Sequence, residues 1–444
     1  MAGGDRRAGA CGRRAGPRGP RRPHPHRAAV KANLRHLRIF LAASDSTSMT
    51  RAAELCHVSQ PAATQAVAKL ERLAGQPLFL RRPQGMFPTR AGETLAVRVR
   101  RAFGHLDPAI DELAPRLRIT ATTAQLQALI AMREAENFTL AAKRMGLAQP
   151  TVHRAITQLE REAARALFER ISYGMVATRP AQALAQAARL AFAELDQAEA
   201  DLAELLGREV GRIVVGAMPL SRSHLLPRTI ARFRERRPTL PIKALDGRYF
   251  DLISGLRRGE IDFLIGALRD QAPIGDVEQR PLFDDTLVLI ARPGHPLTQG
   301  PAPDFADLAR YPFVVAPEGT PTRWNFDKVF VEAGQRPASL VETGSMILMR
   351  ELLRISDHIG CISRLQVAAE LELGPVVQLP FDMPATARPI GLTVRRGWAP
   401  TIAQQEFLDA LLAVATPESA GTAQTDQAAA RSPGAGSSQR GPGR

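Results

Sequence analysis

The sequence predicts a multidomain chain: two all-α units, each ending in a long linker helix, followed by an α/β half built as two lobes. Three observations carry this. Residue pairs recur at a fixed offset of 89 positions across the first half. From Gly211 the periodicity changes to alternating strands and helices. The 444 residues give room for more than one hydrophobic core.

The two ends stand apart from this body. Residues 1–31 hold nine Arg or Lys against Asp5 alone and are rich in Gly and Pro, and residues 417–444 are rich in Gly, Ser, Ala and Gln. Neither end has the apolar bulk to order itself, so both are expected to be disordered tails. The paired arginines of the first precede no apolar core of an export signal, and runs such as DDTLVLIAR are cut by charge far short of a membrane span. A soluble, cytoplasmic protein with no membrane partner is expected.

The net charge of +15 is unevenly spread: +8 in residues 1–31, +6 in 32–118, −1 in 121–207 and +2 in 208–444. A concentrated basic excess points to an acidic partner. Cys11, Cys56 and Cys361 lie at no metal-ligand or redox spacing, so neither a metal, a cofactor nor a disulfide framework is expected.

The repeat pairs Ala52-Ala53 with Ala141-Ala142, Gln60-Pro61 with Gln149-Pro150, Leu70-Glu71 with Leu159-Glu160, Leu78-Phe79 with Leu167-Phe168, and Gly85-Met86 with Gly174-Met175. It divides the region into unit one, 32–118, and unit two, 121–207, closed by long helices over 91–117 and 180–206. In unit one Leu34, Leu37, Phe40 and Leu41 mark one face of a first helix, and Met49, Ala52, Ala53 and Cys56 mark a second. A third helix begins at Ser59-Gln60-Pro61, where the serine can accept free N–H groups and the proline loses nothing in the first turn. Ala63, Val67 and Leu70 face inward, leaving Thr64, Gln65 and Lys69 outward. In unit two Val152, Ile156 and Leu159 are inward, and Thr151, His153, Arg154 and Thr157 outward. Small and polar side chains at a helix start, held by a short turn, suit the major groove of double-stranded DNA. Arg81, Arg82 and Gly85, mirrored by Arg170 and Gly174, predict a hairpin wing beside each such helix.

LRHLRIFLAASDSTSMTRAAELCHVSQPAATQAVAKLERLAGQPLFLRR, with PTRAG at 88–92, resembles the N-terminal winged helix-turn-helix of LysR-type transcriptional regulators. LQALIAMREAENFTLAAKRMGLAQPTVHRAITQLEREAARALFER is similar to the same unit in more divergent form. The resemblance implies DNA contacts from Ser59, Gln60, Pro61, Thr64, Gln65 and Arg81 in the first copy. In the second it implies Gln149, Thr151, His153, Arg154 and Arg170. Since the family usually carries one such unit, which copy reads DNA stays open. Copy one keeps the Ser59 cap where copy two has Ala148, worth about 1 kcal/mol, and its reading region nets +5 against +3. Copy two has Arg154 where copy one has Gln65, and arginine makes the commonest specific contact to guanine. The acidic residues Glu194, Asp196, Glu199, Asp201 and Glu204 keep the second linker helix off phosphates and suit it to dimer packing.

The α/β half runs RIVVGAM, helix 223–236, LPIKAL, helix 250–258, IDFLIGAL, an order that implies βαβ units. Ligands of such sheets bind at strand carboxyl ends, beside helix N-termini. Ser221 and Ser223, Thr320 and Thr322, Thr343 and Ser345, and Cys361 fall at these junctions. MPLSRSHLLP, LRRGEIDFLIGALRD, PLFDDTLVLIARPGHPL and PEGTPTRWNFDKVFVEAG resemble the periplasmic-binding-protein-like effector domain of the same family, nearest the branch named for the galactose-binding-protein regulator. That implies an effector domain over 211–415, with lobe I at 211–292 plus a return segment near 388–414, lobe II at about 295–384, and a small-molecule inducer between them. The branch name does not identify the inducer.

The expectation is therefore a ligand-responsive transcriptional regulator that binds an interrupted dyad as a homo-oligomer, dimer or tetramer, with RNA polymerase as a further candidate partner. The alternative keeps the fold but has one DNA-binding copy serving protein interaction or dimerisation. An enzyme is not expected, because no Ser-His-Asp set, metal cluster or phosphate loop appears at workable spacing. Cys56 is assigned to core packing. Cys361, with no positioned base, is expected to line the cleft.

Overall fold

The computed structural model describes residues 33–172, 174–269, 275–383 and 386–416, so both expected tails lie outside the described residues. Copy one folds as α1 (Leu34–Ser46), α2 (Met49–Leu55), α3 (Gln60–Ala74), the hairpin β1 (Phe79–Arg82) and β2 (Gly85–Pro88), and α4 (Arg90–Leu113). Asn33, Ser48, Ser59 and Thr89 cap the four helices with side-chain oxygens. After a short α5 (Leu117–Thr120), copy two repeats the order: α6 (Thr123–Ala135), α7 (Phe138–Met145), α8 (Gln149–Ala163), β3 (Phe168–Ile171), β4 (Gly174–Ala177) and α9 (Arg179–Glu204).

The recurring residue pairs have a bonding reason. Glu71 Oε1 accepts the N–H groups of Leu78 and Phe79 at 2.9 and 3.3 Å. Glu160 Oε1 accepts those of Leu167 and Phe168 at the same two distances. One carboxylate thus docks the wing onto α3 and α8 alike. The Met86 N–H donates to Thr47 O at 2.9 Å, and the Met175 N–H to Glu136 O at 3.0 Å. A Cβ on Gly85 or Gly174 would lie 2.8 or 3.0 Å from those same carbonyls. Glycine before the methionine is therefore needed to let the wing close on the turn after α1 and α6.

Two details depart from the sequence reading. The first linker helix, expected over 91–117, stops at Leu113. Ala114 precedes Pro115 and is extended, φ −167°, as a residue before proline prefers to be. Copy two also closes α8 on Ala164 at φ 49°, where copy one closes α3 on Gly75 at φ 72°.

The two copies share one hydrophobic core, which runs without interruption from Leu34 in α1 to Leu202 in α9. Its centre is α4 packed antiparallel on α9: Arg98 reaches Gln197 and Asp201 while Arg101, a turn later, reaches Glu194. The acidic face of α9, expected to pack in a dimer, thus meets α4 of its own chain through Glu194 and Asp201. Glu204 instead pairs with Arg237 of the α/β half.

That half comprises β5 (Ile213–Ala217), α10 (Leu226–Arg236), β6 (Ile242–Leu245), α11 (Tyr249–Arg257), β7 (Phe263–Ala267), β8 (Val277–Asp285), β9 (Leu287–Ala291), α12 (Phe305–Ala309), β10 (Pro312–Val315), α13 (Pro321–Glu332), β11 (Ser339–Glu342), α14 (Met346–Arg354), β12 (Ile359–Ser363), α15 (Ala368–Leu373), β13 (Val377–Gln378), β14 (Arg388–Arg395) and α16 (Ile402–Ala415). Lobe I is a five-stranded sheet in the order β6, β5, β7, β14, β8, and lobe II is one in the order β11, β10, β12, β9, β13. The strand placed in lobe I by the DDTLVLIAR run belongs to lobe II, because Leu287 to Ile290 pair antiparallel with β12. The first crossing between lobes is therefore at Thr286, and the second precedes β14.

Candidate nucleic-acid interface and effector cavity

Each copy presents the same surface: the N-terminal half of its third helix with the wing beside it. On α3, Ser59 Oγ accepts the Ala62 N–H at 3.4 Å, and Ser59, Gln60, Pro61 and Gln65 are exposed. Thr64 is half-buried and its hydroxyl donates to Gln60 O at 3.0 Å, so its methyl rather than its hydroxyl is free for contact. Arg81 is exposed on β1, opposite Met86. On α8, Gln149, Thr151, His153 and Arg154 are exposed, and Arg170 takes the wing position on β3. Ala148 supplies no cap. Among the described residues Arg154 is tethered by Nε to Pro150 O at 3.3 Å, and His153 is braced against the Phe138 ring of α7, centroids 5.0 Å apart. All eleven predicted contact residues thus fall on two equivalent surfaces.

In the α/β half, five of seven predicted ligand residues line one cavity between the lobes: Thr320, Thr322, Thr343, Ser345 and Cys361. Ser221 and Ser223 are not brought there. The helix after β5, expected from 223, begins four residues early, at Pro219, and continues as a π turn over Ser221–Leu225. Their hydroxyls therefore donate back to Met218 O and Leu220 O, at 2.7 and 3.2 Å, and Met218, Pro219 and Leu220 face the cavity in their place.

The polar end of the cavity is built from two helix starts and one arginine. Thr320 caps α13 through the Arg323 N–H and donates to Pro317 O, so its hydroxyl is committed. Thr343 and Ser345 accept the N–H groups of Ser345 and Leu348, and their own hydroxyl protons find no acceptor among the described residues. Arg388, which sequence reasoning missed, is 8 % exposed at the head of β14. It donates to Thr322 Oγ1 of lobe II and, at 3.5 Å, to Asp285 Oδ2 of lobe I. Its Nε is buried with no partner among the described residues. A charged residue directly ahead of the apolar run at 389–392 was the available signal. The rest of the wall is apolar, including Met346, Met349, Ile362 and Ile390. Burial pushes the Cys361 thiol up to about 12, leaving a neutral wall group rather than a nucleophile.

Arg388 stands at the hinge itself. Beside it the Leu287 N–H donates to Thr386 Oγ1 at 3.2 Å, tying the outgoing crossing to the returning one. At the cleft mouth Arg269 of lobe I donates to Gly319 O of lobe II at 3.3 Å. No helix among the described residues is long and apolar enough to cross a membrane.

Comparison with known proteins agrees with this arrangement. Residues 34–93 and 123–182 each match the bacterial regulatory helix-turn-helix protein of the lysR family, and residues 206–416 match the LysR substrate binding domain. The transcriptional regulator GalR of Pseudomonas putida is 33% identical over 374 residues, covering 82% of this chain and 93% of its own. The regulator CbbR of Xanthobacter flavus is 28% identical over 289 residues, 65% of this chain and 84% of its own. Among solved structures, full-length OxyR of Pseudomonas aeruginosa has a TM-score of 0.48 at 23% identity, covering 66% of this chain and 93% of that one. With both helix-turn-helix copies and the lobed half matched, the chain belongs to the LysR family of transcriptional regulators, DNA-binding proteins controlled by a small-molecule inducer.

Proposed function

We propose that both copies read DNA, Gln60, Thr64 and Gln65 facing bases on one surface with Arg81 on the phosphates beside them, and Gln149, Thr151, His153 and Arg154 facing bases on the other with Arg170 on the phosphates. The inducer then sits at Arg388, Thr322, Thr343 and Ser345, with Cys361 as apolar wall. The observation that carries the second part is the buried, unpartnered Arg388 Nε in a cavity whose other surfaces are mostly apolar. A donor left unmet inside a low-dielectric site favours a ligand that brings an acceptor. The cavity measures about 110 Å³, near the roughly 150 Å³ that admits benzene. The inducer class is accordingly a compact, single-ring-sized molecule with an apolar body and one hydrogen-bond-accepting group, carboxylate or carbonyl. The relatives with this architecture are transcriptional regulators, which supports binding as the role of the site.

The matched surfaces on α3 and α8 favour two reading copies over one degenerate copy. An interrupted dyad bound by a cytoplasmic homo-oligomer, with RNA polymerase as its target, completes the reading. The test is selection of genomic fragments by the full-length protein at near-physiological salt, where non-specific charge attraction fades. A recurring two-part motif near promoters is expected. Arg81→Ala and Arg170→Ala should each lower the salt slope by about 1 without changing the motif. No recovered motif, or no ligand-dependent change in affinity or footprint across a panel of small acids and carbonyl compounds, defeats the reading.

A further inference from the structure

We infer that one chain supplies both reading heads of a single DNA site, and that the two half-sites differ in sequence. The inference rests on the reading above, that both third helices contact bases. Its own ground is the symmetry of the α4–α9 seam. In an isologous pair a residue meets its own equivalent only on the two-fold axis. His105 and Glu194 are equivalents, 89 positions apart, and their Nε2 and Oε1 atoms lie 4.0 Å from each other. An approximate two-fold axis therefore passes between α4 and α9 of the same chain.

The flanking contacts obey that axis. The end of α3 meets the end of α9, with Gln76 Nε2 donating to Leu202 O at 3.0 Å. In the mirrored place the end of α8 meets α5, with Arg116 Nε donating to Glu162 Oε2 at 3.2 Å. Arg116 and Glu162 are the 89-residue equivalents of Leu205 and Leu73. One continuous core fills the space between the copies. The chain thus already holds two helix-turn-helix units related by a two-fold axis, the arrangement that pairs of separate subunits use to meet two half-sites.

This pair differs from one made of identical subunits in what its heads display. Gln60 and Gln149 are equivalent and alike, but Gln65 stands where Arg154 stands, Thr64 where His153 stands and Ala62 where Thr151 stands. Glutamine pairs in bidentate fashion with adenine and arginine with guanine. The site is accordingly an interrupted, imperfect dyad with a direction: adenine at the position read by Gln65, guanine at the position read by Arg154.

The test is selection from a random duplex pool by full-length wild-type, Gln65→Ala and Arg154→Ala proteins, both substitutions being at exposed positions. Wild type should return two unlike half-sites in fixed orientation. Gln65→Ala should flatten the preference in one half only and Arg154→Ala in the other only, each lowering affinity for the wild-type motif on the order of tenfold. Mixing the two variant proteins should restore nothing, because no chain then carries two intact heads. A symmetric motif whose halves both respond to one variant and neither to the other overturns the pairing while leaving base reading intact. So does recovery of wild-type affinity on mixing. If neither variant changes any preference, the third helices do not read bases and the inference falls with the reading beneath it.

Discussion

Arg98 is 5 % exposed at the junction of α4, α9 and lobe I, and its replacement by alanine is the most searching test of the seam. Its Nε donates to Asp201 at 2.8 Å, and its Nη1 to Glu194, Gln197 and Ala399 O at 3.2, 2.7 and 2.9 Å. Its Nη2 donates to Pro400 O at 3.1 Å. Glu194 would keep both bonds from Arg101. Asp201, 12 % exposed, would keep no cationic partner from this cluster. Removing one member of a buried ion pair costs about 3–5 kcal/mol, whereas an exposed pair is worth about 0.2–1. Arg100, two residues on, provides the control: its pair with Asp45 is half-exposed on both sides. Hydrogen exchange of the α4 and α9 amides is the assay, because a multidomain chain has no single unfolding free energy. Arg98→Ala should speed exchange in both helices by about a hundredfold or more, and Arg100→Ala by less than about fivefold. Burial already raises the Asp201 carboxyl, with Arg98 opposing it. Without Arg98 that carboxyl rises further, so the deficit should be smaller at pH 5 than at pH 8. A loss no greater than that of Arg100→Ala, or one equal at both pH values, would refute the account.

Other substitutions follow from the same geometry. Ala164→Gly should stabilise copy two by about 1 kcal/mol by relieving a left-handed alanine, and Ala148→Ser should add up to about 1 by restoring the missing cap; hydrogen exchange of the α8 amides measures both. Asp262 accepts the Val214 N–H at 2.7 Å, and burial lifts it to about 6. Its folded value lies above its unfolded one, so its contribution is full below pH 4 and lost as pH rises through 6. Asp262→Asn should therefore stabilise lobe I by about 2–3 kcal/mol more at pH 7.5 than at pH 4, read by hydrogen exchange of the β5 and β7 amides at the two values. The Cys361 thiol, raised to about 12 by burial, should resist iodoacetamide at pH 8 in the folded protein and react on unfolding, with mass spectrometry as readout. Rapid labelling of the native chain would place it outside the cavity wall.

Much of this was legible because the repeat is enforced atom by atom. Leu70-Glu71 and Leu78-Phe79 recur because one carboxylate must reach two particular N–H groups, and Gly85 recurs because a carbonyl occupies the space of its side chain. What stayed hidden depended on contacts between distant segments. Periodicity identifies an apolar face but not the helix it will meet, so the acidic stripe of α9 could be assigned to dimer packing but not to α4 of the same chain. Nothing in the run RVRR distinguishes Arg98 from Arg100 and Arg101, though of the three it alone is buried in the seam. The serines after β5 carried the right chemistry for a helix start. The helix began at Pro219 instead, three residues sooner than a Ser221 cap would have placed it. Arg388 lies more than sixty residues from Thr322, the hydroxyl it holds.

The contacts between halves bear on how inducer binding is transmitted. Among the described residues, the bonds from the linker helices to the α/β half land on lobe I: Arg98 on Ala399 and Pro400, Gln186 on Arg257 O, Arg189 on Glu260, and Glu204 on Arg237. Arg237 also holds Glu406 of α16, so lobe I is braced on its return helix as well. Lobe II is reached through the crossing at Thr286 and the return before β14. Across the cleft it is joined to lobe I by single contacts such as Arg269 with Gly319. A ligand on Arg388 and Ser345 touches the hinge and lobe II together, so lobe II is the body it can reposition. The α4–α9 seam fixes the spacing of the two helix-turn-helix copies in one chain through a packed core, and packed cores shift between discrete arrangements rather than stretch. An inducer that closes the lobes therefore acts on what lobe II touches, while the distance between the two heads of one chain stays with the seam.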